Sequence, residues 1–291
     1  MDWQKYDRLI QAALEEDCAG NDVTTTSLVA PEARDTARMV ARRPGVPAGL
    51  GLAARVAQVF DEGIEFSEEV ADGTRVEAGT VLATLQGPAG AILSVERTML
   101  NFVQRMSGIA TLTAEYVAEV RGTGTGIYDT RKTTPGWREL EKYAVRCGGG
   151  CNHRMTLSEM ALIKDNHLAI FGATPDEPEG VGRAVETVRR AYPDVPVEVE
   201  VDTLEQLEAA LPGKPDLVLL DNMSPADVRR AVVLVDQLCS DAHRPKLEAS
   251  GGITLANVRE YAHAGADRIA IGALTHSAPA MDIGLDMELS T

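Results

Sequence analysis

Lysine is scarce in this chain: 6 of 291 residues, against 22 arginines and 44 acidic residues, for a formal net charge of -16. Acidic excess with no long basic stripe argues against a nucleic-acid partner, since nothing could neutralise a run of phosphates. Cysteine is equally sparse. Cys18, Cys147, Cys151 and Cys239 are too few and too scattered for a disulfide scaffold. Cys147, Cys151 and His153 invite a zinc site, but a fourth ligand and a second paired spacing are missing, so free thiols beside a glycine turn are the simpler reading. No run of about 18 apolar residues exists, which excludes a membrane helix. The start, Met1 to Lys5, lacks the basic and apolar regions of a secretory signal, and a cytoplasmic protein is expected. Low lysine with high acid fits a high-salt cytoplasm, and a GC-rich genome would produce the same bias.

What the chain does contain is a cluster of cations. Arg131, Lys132, His153, Arg154 and Lys164 fall within a short stretch of an otherwise acidic protein. Like charges gathered this closely are costly unless an anion joins them. A small, multiply charged anion is the expected ligand.

The second half of the chain alternates strand and helix patterns. Short runs rich in β-branched and aliphatic residues lie at 126–129, 161–163, 197–201, 217–220, 246–249 and 268–271, bounded by turn residues as buried parallel strands are. Helix starts fall between them. Thr203 has Gln206 three residues on, Ser224 precedes Pro225, and Thr254 precedes Leu255, Val258 and Tyr261, with Gly265 as a stop. Six strands in this βα alternation predict a barrel short of the usual eight. The first part reads as a separate α+β domain, opened by an amphipathic helix with Trp3, Tyr6, Ile10 and Leu14 on one face. The boundaries expected are 1–110 for the N-terminal domain and 111–275 for the barrel, with a tail, 276–291, packing on the former. Residues 72–85 resemble the hairpin of a biotinyl or lipoyl carrier, but no lysine lies between Lys5 and Lys132 to hold such a cofactor. A structural β-hairpin remains. The acidic stretch Asp176 to Glu179 reads as a surface loop.

Charged residues recur where the strands end. Arg131 and Lys132 follow the first strand, Lys164 the second and Asp221 the fourth, while Glu200 sits near the end of the third. Strand C-termini form the active-site face of such barrels. Ser250-Gly251-Gly252 after the fifth strand and Gly272-Ala273 after the sixth let backbone N–H groups approach phosphate oxygens, and a helix starting at Thr254 would add its dipole. Arg131 and Arg154 can each grip a carboxylate bidentately. Glu200 and Asp221 offer hard oxygens for Mg²⁺ carrying a pyrophosphate.

Several segments together resemble the quinolinate phosphoribosyltransferase family. They are Asp22-Val23-Thr24-Thr25, Glu96-Arg97-Thr98, Asn101-Phe102, Asp129 to Pro135, Gly148 to Arg154, Leu162 to His167 and Ser250 to Ile253. The resemblance runs in order from about residue 6 to 283. It implies an α/β fold with an N-terminal α/β sandwich domain and an incomplete, six- or seven-stranded α/β barrel. The implied reaction joins quinolinate and phosphoribosyl pyrophosphate, with Mg²⁺, into nicotinate mononucleotide, pyrophosphate and carbon dioxide, a step of NAD synthesis. By motif position, Thr130, Arg131, Lys132, His153, Arg154 and Lys164 hold quinolinate, and Arg97 arrives from the partner of a homodimer, with a hexamer as a larger form. Lys132, Lys164, Glu200 and Asp221 carry the catalytic roles, the last two near the metal. Ser250, Gly251, Gly252, Ile271, Gly272 and Ala273 take the phosphoribosyl phosphate. The rival within the same fold is a paralogue found with molybdate-uptake genes; the Arg131-Lys132 and His153-Arg154 pairs favour a dicarboxylate instead. Two rivals from other classes are a lyase using Lys164 as a Schiff-base amine, which would need an apolar pocket around it, and an effector sensor without catalysis.

Overall fold

A computed structural model describes residues 1–173 and 179–288. Most of the acidic stretch 176–179 therefore lies outside the described residues, as do the last three of the tail. The chain divides into two compact units, one of 1–114, 140–149 and 277–291, the other of 115–139 and 150–276. The expected boundary at 110/111 falls inside one continuous helix, Ala89–Glu119. Residues 140–149, inside the expected barrel range, belong to the first unit.

In the first unit, β1 (Arg34–Ala41), β2 (Glu65–Glu68), β3 (Val81–Pro88) and β10 (Ile283–Glu288) form an antiparallel sheet in the order β10-β1-β3-β2. β1 carries Ala37, Met39 and Ala41 at 0% exposure, the period-2 pattern of a half-buried strand. The opening amphipathic pattern forms the helix Asp7–Glu16, with Ile10 and Leu14 buried. The segment read as a hairpin pairs differently: β3 lies between β1 and β2, and Val76 makes only an isolated bridge to Gly45. At 31 residues the helix Ala89–Glu119 is about 46 Å long.

The second unit holds six parallel strands: β4 (Gly126–Tyr128), β5 (Ala161–Ile163), β6 (Val197–Val201), β7 (Leu217–Asp221), β8 (Lys246–Ser250) and β9 (Arg268–Ala270). Their order, β4-β9-β8-β7-β6-β5, is that of a barrel left open between its first and second strands. Cys151 partly fills that opening through a parallel bridge to Tyr128, donating its N–H to Ile127 O at 2.8 Å. Each predicted strand matches one of these to within a residue. Thr203 and Ser224 cap their helices, accepting from the N–H groups of Gln206 and Asp227. Thr254 does not. The helix starts only at Val258, and the Thr254 N–H instead donates to the Asn257 side chain, closing a turn. The dipole expected behind Gly251-Gly252 is therefore displaced by a four-residue turn. Among the described residues, no helix is long and apolar enough to cross a membrane.

Candidate active site

Successive strand residues face opposite sides of the sheet, so Glu198 and Glu200 share one face of β6, and Glu248 and Ser250 share one face of β8. Register carries the pattern across the sheet: Glu200 stands beside Leu219, Leu219 beside Glu248, and Asp221 beside Ser250. Glu200, Leu219, Asp221, Glu248 and Ser250 line a cavity of about 420 Å³ with Thr130, Arg131, Lys132, His153, Arg154, Leu162, Lys164 and Ala270. The cavity thus brings together nine of the residues expected at the site: Thr130, Arg131, Lys132, His153, Arg154, Lys164, Glu200, Asp221 and Ser250. Gly251, Gly252, Ile271, Gly272 and Ala273 follow the ends of β8 and β9 but do not line it. Arg97 is exposed on the long helix, in the first unit.

Two loops bear most of the cations, and buried polar groups tie them together. Asp129, fully buried at the end of β4, accepts from His153 N–H at 2.9 Å and from the Asn152 amide at 2.6 Å. Arg138 donates to Thr133 Oγ1 at 3.1 Å and to Met155 O at 2.9 Å, joining the loop after β4 to the loop after Cys151. Thr130 Oγ1 accepts from Lys132 N–H at 3.0 Å, and Thr275 Oγ1 donates to Lys132 O at 2.8 Å. Gly272 leaves room for the lysine stem, since a Cβ there would lie 2.9 Å from Lys132 Cδ. At Gly251 two requirements coincide. Its φ is +92°, and a Cβ would meet Asn222 Oδ1 at 2.2 Å.

The charges balance in pairs. Lys164 Nζ contacts Glu200 Oε2, with Glu200 only 11% exposed. This is no apolar pocket of the kind a Schiff-base lysine requires. Arg154 donates to Met160 O at 2.8 Å; burial, and then the charge of Arg131, lower its pKa. Asp202 lies at the same strand ends. Burial raises its carboxyl, and the negative charges of Asp221 and Asp165 raise it further.

The cavity floor holds a group absent from the sequence reading. His153 Nε2 lies 3.0 Å from Glu198 Oε2 and 3.3 Å from Glu248 Oε1, with both glutamates fully buried. Burial alone favours a neutral imidazole, but the two carboxylates outweigh it and raise the His153 pKa to about 9. Arg154 N–H donates to His153 Nδ1 at 2.9 Å, a bond that only the neutral ring can accept. The geometry leaves the ring proton on Nε2, between the glutamates. Burial, and then the charge of Glu198, push the Glu248 carboxyl up toward its protonated form. Alternation from Glu200 and Ser250 was the signal for both glutamates, because each lies two residues earlier on the same face.

Fold and site together define an α/β-barrel enzyme whose strand-end cleft gathers four arginine and lysine cations with carboxylates. The family model for the quinolinate phosphoribosyl transferase C-terminal domain matches residues 109–286, and that for the N-terminal domain matches 22–107. The chain is 48% identical over 281 residues to the nicotinate-nucleotide pyrophosphorylase [carboxylating] of Mycobacterium leprae (strain TN), covering 96% of this chain and 95% of that protein. It is 39% identical to the probable enzyme of the same name from Bacillus subtilis (strain 168), over 97% of this chain and 93% of that one. The crystal structure of NadC from Streptococcus pyogenes superposes with a TM-score of 0.89 at 35% identity, covering 99% of both chains. This chain belongs to the quinolinate phosphoribosyl transferase family.

Proposed function

We propose that the protein transfers the phosphoribosyl group from phosphoribosyl pyrophosphate to quinolinate and releases carbon dioxide, giving nicotinate mononucleotide and pyrophosphate for NAD synthesis. One observation carries the reading: Arg131, Lys132, Arg154 and Lys164 converge with Glu200 and Asp221 on one 420 Å³ cavity at the strand ends. Family membership makes this activity the one to test first, and the matched relatives lend no support to the molybdate-linked alternative.

The pyridine nitrogen attacks the anomeric carbon as the bond to pyrophosphate breaks. No protein nucleophile is needed, so positioning and electrostatics do the work. Arg131 and Arg154, with Thr130 and His153 beside them, hold the dicarboxylate, while Lys132 faces the departing phosphates. Glu200 stabilises positive charge on the ribose and is kept in place by Lys164. Once the nitrogen is quaternary, the ring accepts the electron pair left as the adjacent carboxylate departs, and solvent supplies the proton to that carbon. Ser250, Gly251, Gly252, Ile271, Gly272 and Ala273 receive the 5′-phosphate at their backbone.

The donor set suits Mg²⁺. Asp165, Asp202 and Asp221 crowd one lip of the cleft closely enough that the charges of the first and third hinder ionisation of the second, and hard carboxylate oxygens are what the ion prefers. Asp221 is the better placed ligand, because Glu200 is engaged by Lys164. Bound there with pyrophosphate, the ion would supply charge neutralisation of the leaving group.

The working form is at least a homodimer, with Arg97 lent to the partner's cavity and a hexamer as the larger assembly. An exposed apolar surface beside the open edge of β5 supports association: Leu157 is 68% exposed, Phe171 46% and Tyr192 64%. A cytoplasmic site of action completes the proposal, since both substrates are polyanions that do not cross a bilayer unaided.

The test is product formation from phosphoribosyl pyrophosphate and Mg²⁺ with quinolinate or nicotinate, in low and molar KCl. Nicotinate mononucleotide with stoichiometric carbon dioxide from quinolinate alone is expected, and the salt optimum separates salt adaptation from genome bias. No product from folded protein would sink the assignment. Mixing inactive Arg97→Ala and Arg154→Ala chains should restore part of the activity, if Arg97 acts across subunits.

A further inference from the structure

Glu198 and Glu248 have no task in the chemistry above. Their carboxylate oxygens are buried, with His153 Nε2 3.0 Å from Glu198 Oε2 and 3.3 Å from Glu248 Oε1, and both residues are 0% exposed. Burying a carboxylate costs several kcal/mol, and an aliphatic residue would occupy either strand position without that penalty. Two such groups converging on one imidazole therefore point to a role for the imidazole.

Its surroundings suggest what that role is. One edge of His153 faces the two glutamates, and Nδ1 on the other side accepts the Arg154 N–H at 2.9 Å. Arg154 is thus anchored at its main chain by the ring and at its guanidinium by Met160 O, 2.8 Å away. The glutamates are drawn inward by cations on other elements, Glu198 by Arg154 and Glu248 by Arg268. Arg268 is itself seated over the Tyr128 ring at 4.5 Å. The ring cannot turn without breaking contacts on both edges.

We propose that Glu198 and Glu248 are positioning residues: they hold His153 so that its Nδ1 fixes the main chain from which Arg154 reaches a substrate carboxylate. The inference rests on the quinolinate reading above and assigns His153 to the support of the clamp.

Replacing one glutamate by leucine fills the space and removes one acceptor, and relief of the repulsion between the two carboxylates offsets the lost partner of His153. Glu248→Leu and Glu198→Leu should each raise the quinolinate KM about tenfold or more, with kcat within threefold and Tm not lowered. Glu248→Gln and Glu198→Gln, which keep an acceptor for the Nε2 proton, should return KM to within threefold of the parent. A purely structural role would instead lower Tm or the active fraction and leave KM alone. Folded leucine variants with the parent KM would overturn the proposal.

A second readout needs no activity. Of the five histidines, His167 also accepts at Nδ1, from Lys164 N–H at 3.0 Å; above pH 9 the ¹⁵N spectrum should show a second such ring, lost in His153→Asn, protonated at Nε2 and hydrogen-bonded as an acceptor at Nδ1. Glu248→Leu should abolish that signature, and its persistence would also overturn the proposal. If the unaltered enzyme made no product from quinolinate, the functional reading would fail, while this spectrum would still judge the support network.

Discussion

On the antiparallel sheet, Arg38 of β1 and Arg42 just past its end reach Glu288 and Asp286 of β10, and all four side chains are 39–53% exposed. On the parallel sheet the charges turn inward: Glu198 and Glu248 are fully buried, and Glu200 is 11% exposed. Both sets pair oppositely charged groups at contact distance. The first lies in water, where attraction is screened and holding two long side chains costs entropy. The second lies where the dielectric is low and each unpaired charge is expensive. Contact distance alone therefore says little about importance; what surrounds the pair decides it.

That contrast can be broken by substitution. If Arg154 grips a substrate carboxylate as proposed, Arg154→Ala should lower kcat/KM for quinolinate about 10³-fold, mainly through KM; steady-state kinetics at saturating phosphoribosyl pyrophosphate measure it. A change under tenfold would place Arg154 outside the clamp. Arg105→Ala probes an inward charge of the first unit, where Arg105 donates at 2.8 Å to a fully buried Glu141. Loss of that partner should cost about 3 kcal/mol, seen as a lower urea midpoint with substrate KM unchanged. Arg138→Ala cuts the strap between the two cation-bearing loops and should lower kcat/KM about tenfold, by loosening groups it does not itself present. Arg42→Ala sharpens the comparison from the other side. Despite two hydrogen bonds to Asp286, it should shift stability by under about 1 kcal/mol and leave the kinetics untouched. A larger shift would mean that exposure is not what separates the two sheets.

Strand positions in the second unit were readable because a buried parallel strand has a strong local signature: β-branched runs cut off by turn residues. Ser224 and Thr203 were readable for the same reason, since a cap acts on N–H groups two or three residues away. Thr254 misled because its N–H and hydroxyl both donate to Asn257 Oδ1, closing a turn instead of capping a helix. Glu198 and Glu248 escaped attention because a glutamate within an apolar strand looks like a solvated face until closure of the sheet puts it inside. Residues 140–149 show a second limit. Amphipathicity reveals that one face of the helix is buried, but not that it packs with the first unit rather than the neighbouring strands in sequence. Of the expected site, the strand-end cations and carboxylates meet in one cavity. The glycine turns lie at the strand ends beyond its lining, and Arg97 stands exposed on the long helix of the first unit.

The distribution of the six lysines has a practical consequence. Lys142 is fully buried in the first unit, while Lys132 and Lys164 stand exposed at the cavity and Lys5, Lys214 and Lys246 are exposed elsewhere. Of the five amines available to an acylating reagent on lysine, two belong to the candidate active site. Fluorescent tagging or surface immobilisation through amines would therefore silence this protein far more readily than a lysine-rich relative. Attachment through the exposed thiol of Cys18 is the safer handle once Cys151, also exposed and two residues from His153, is replaced.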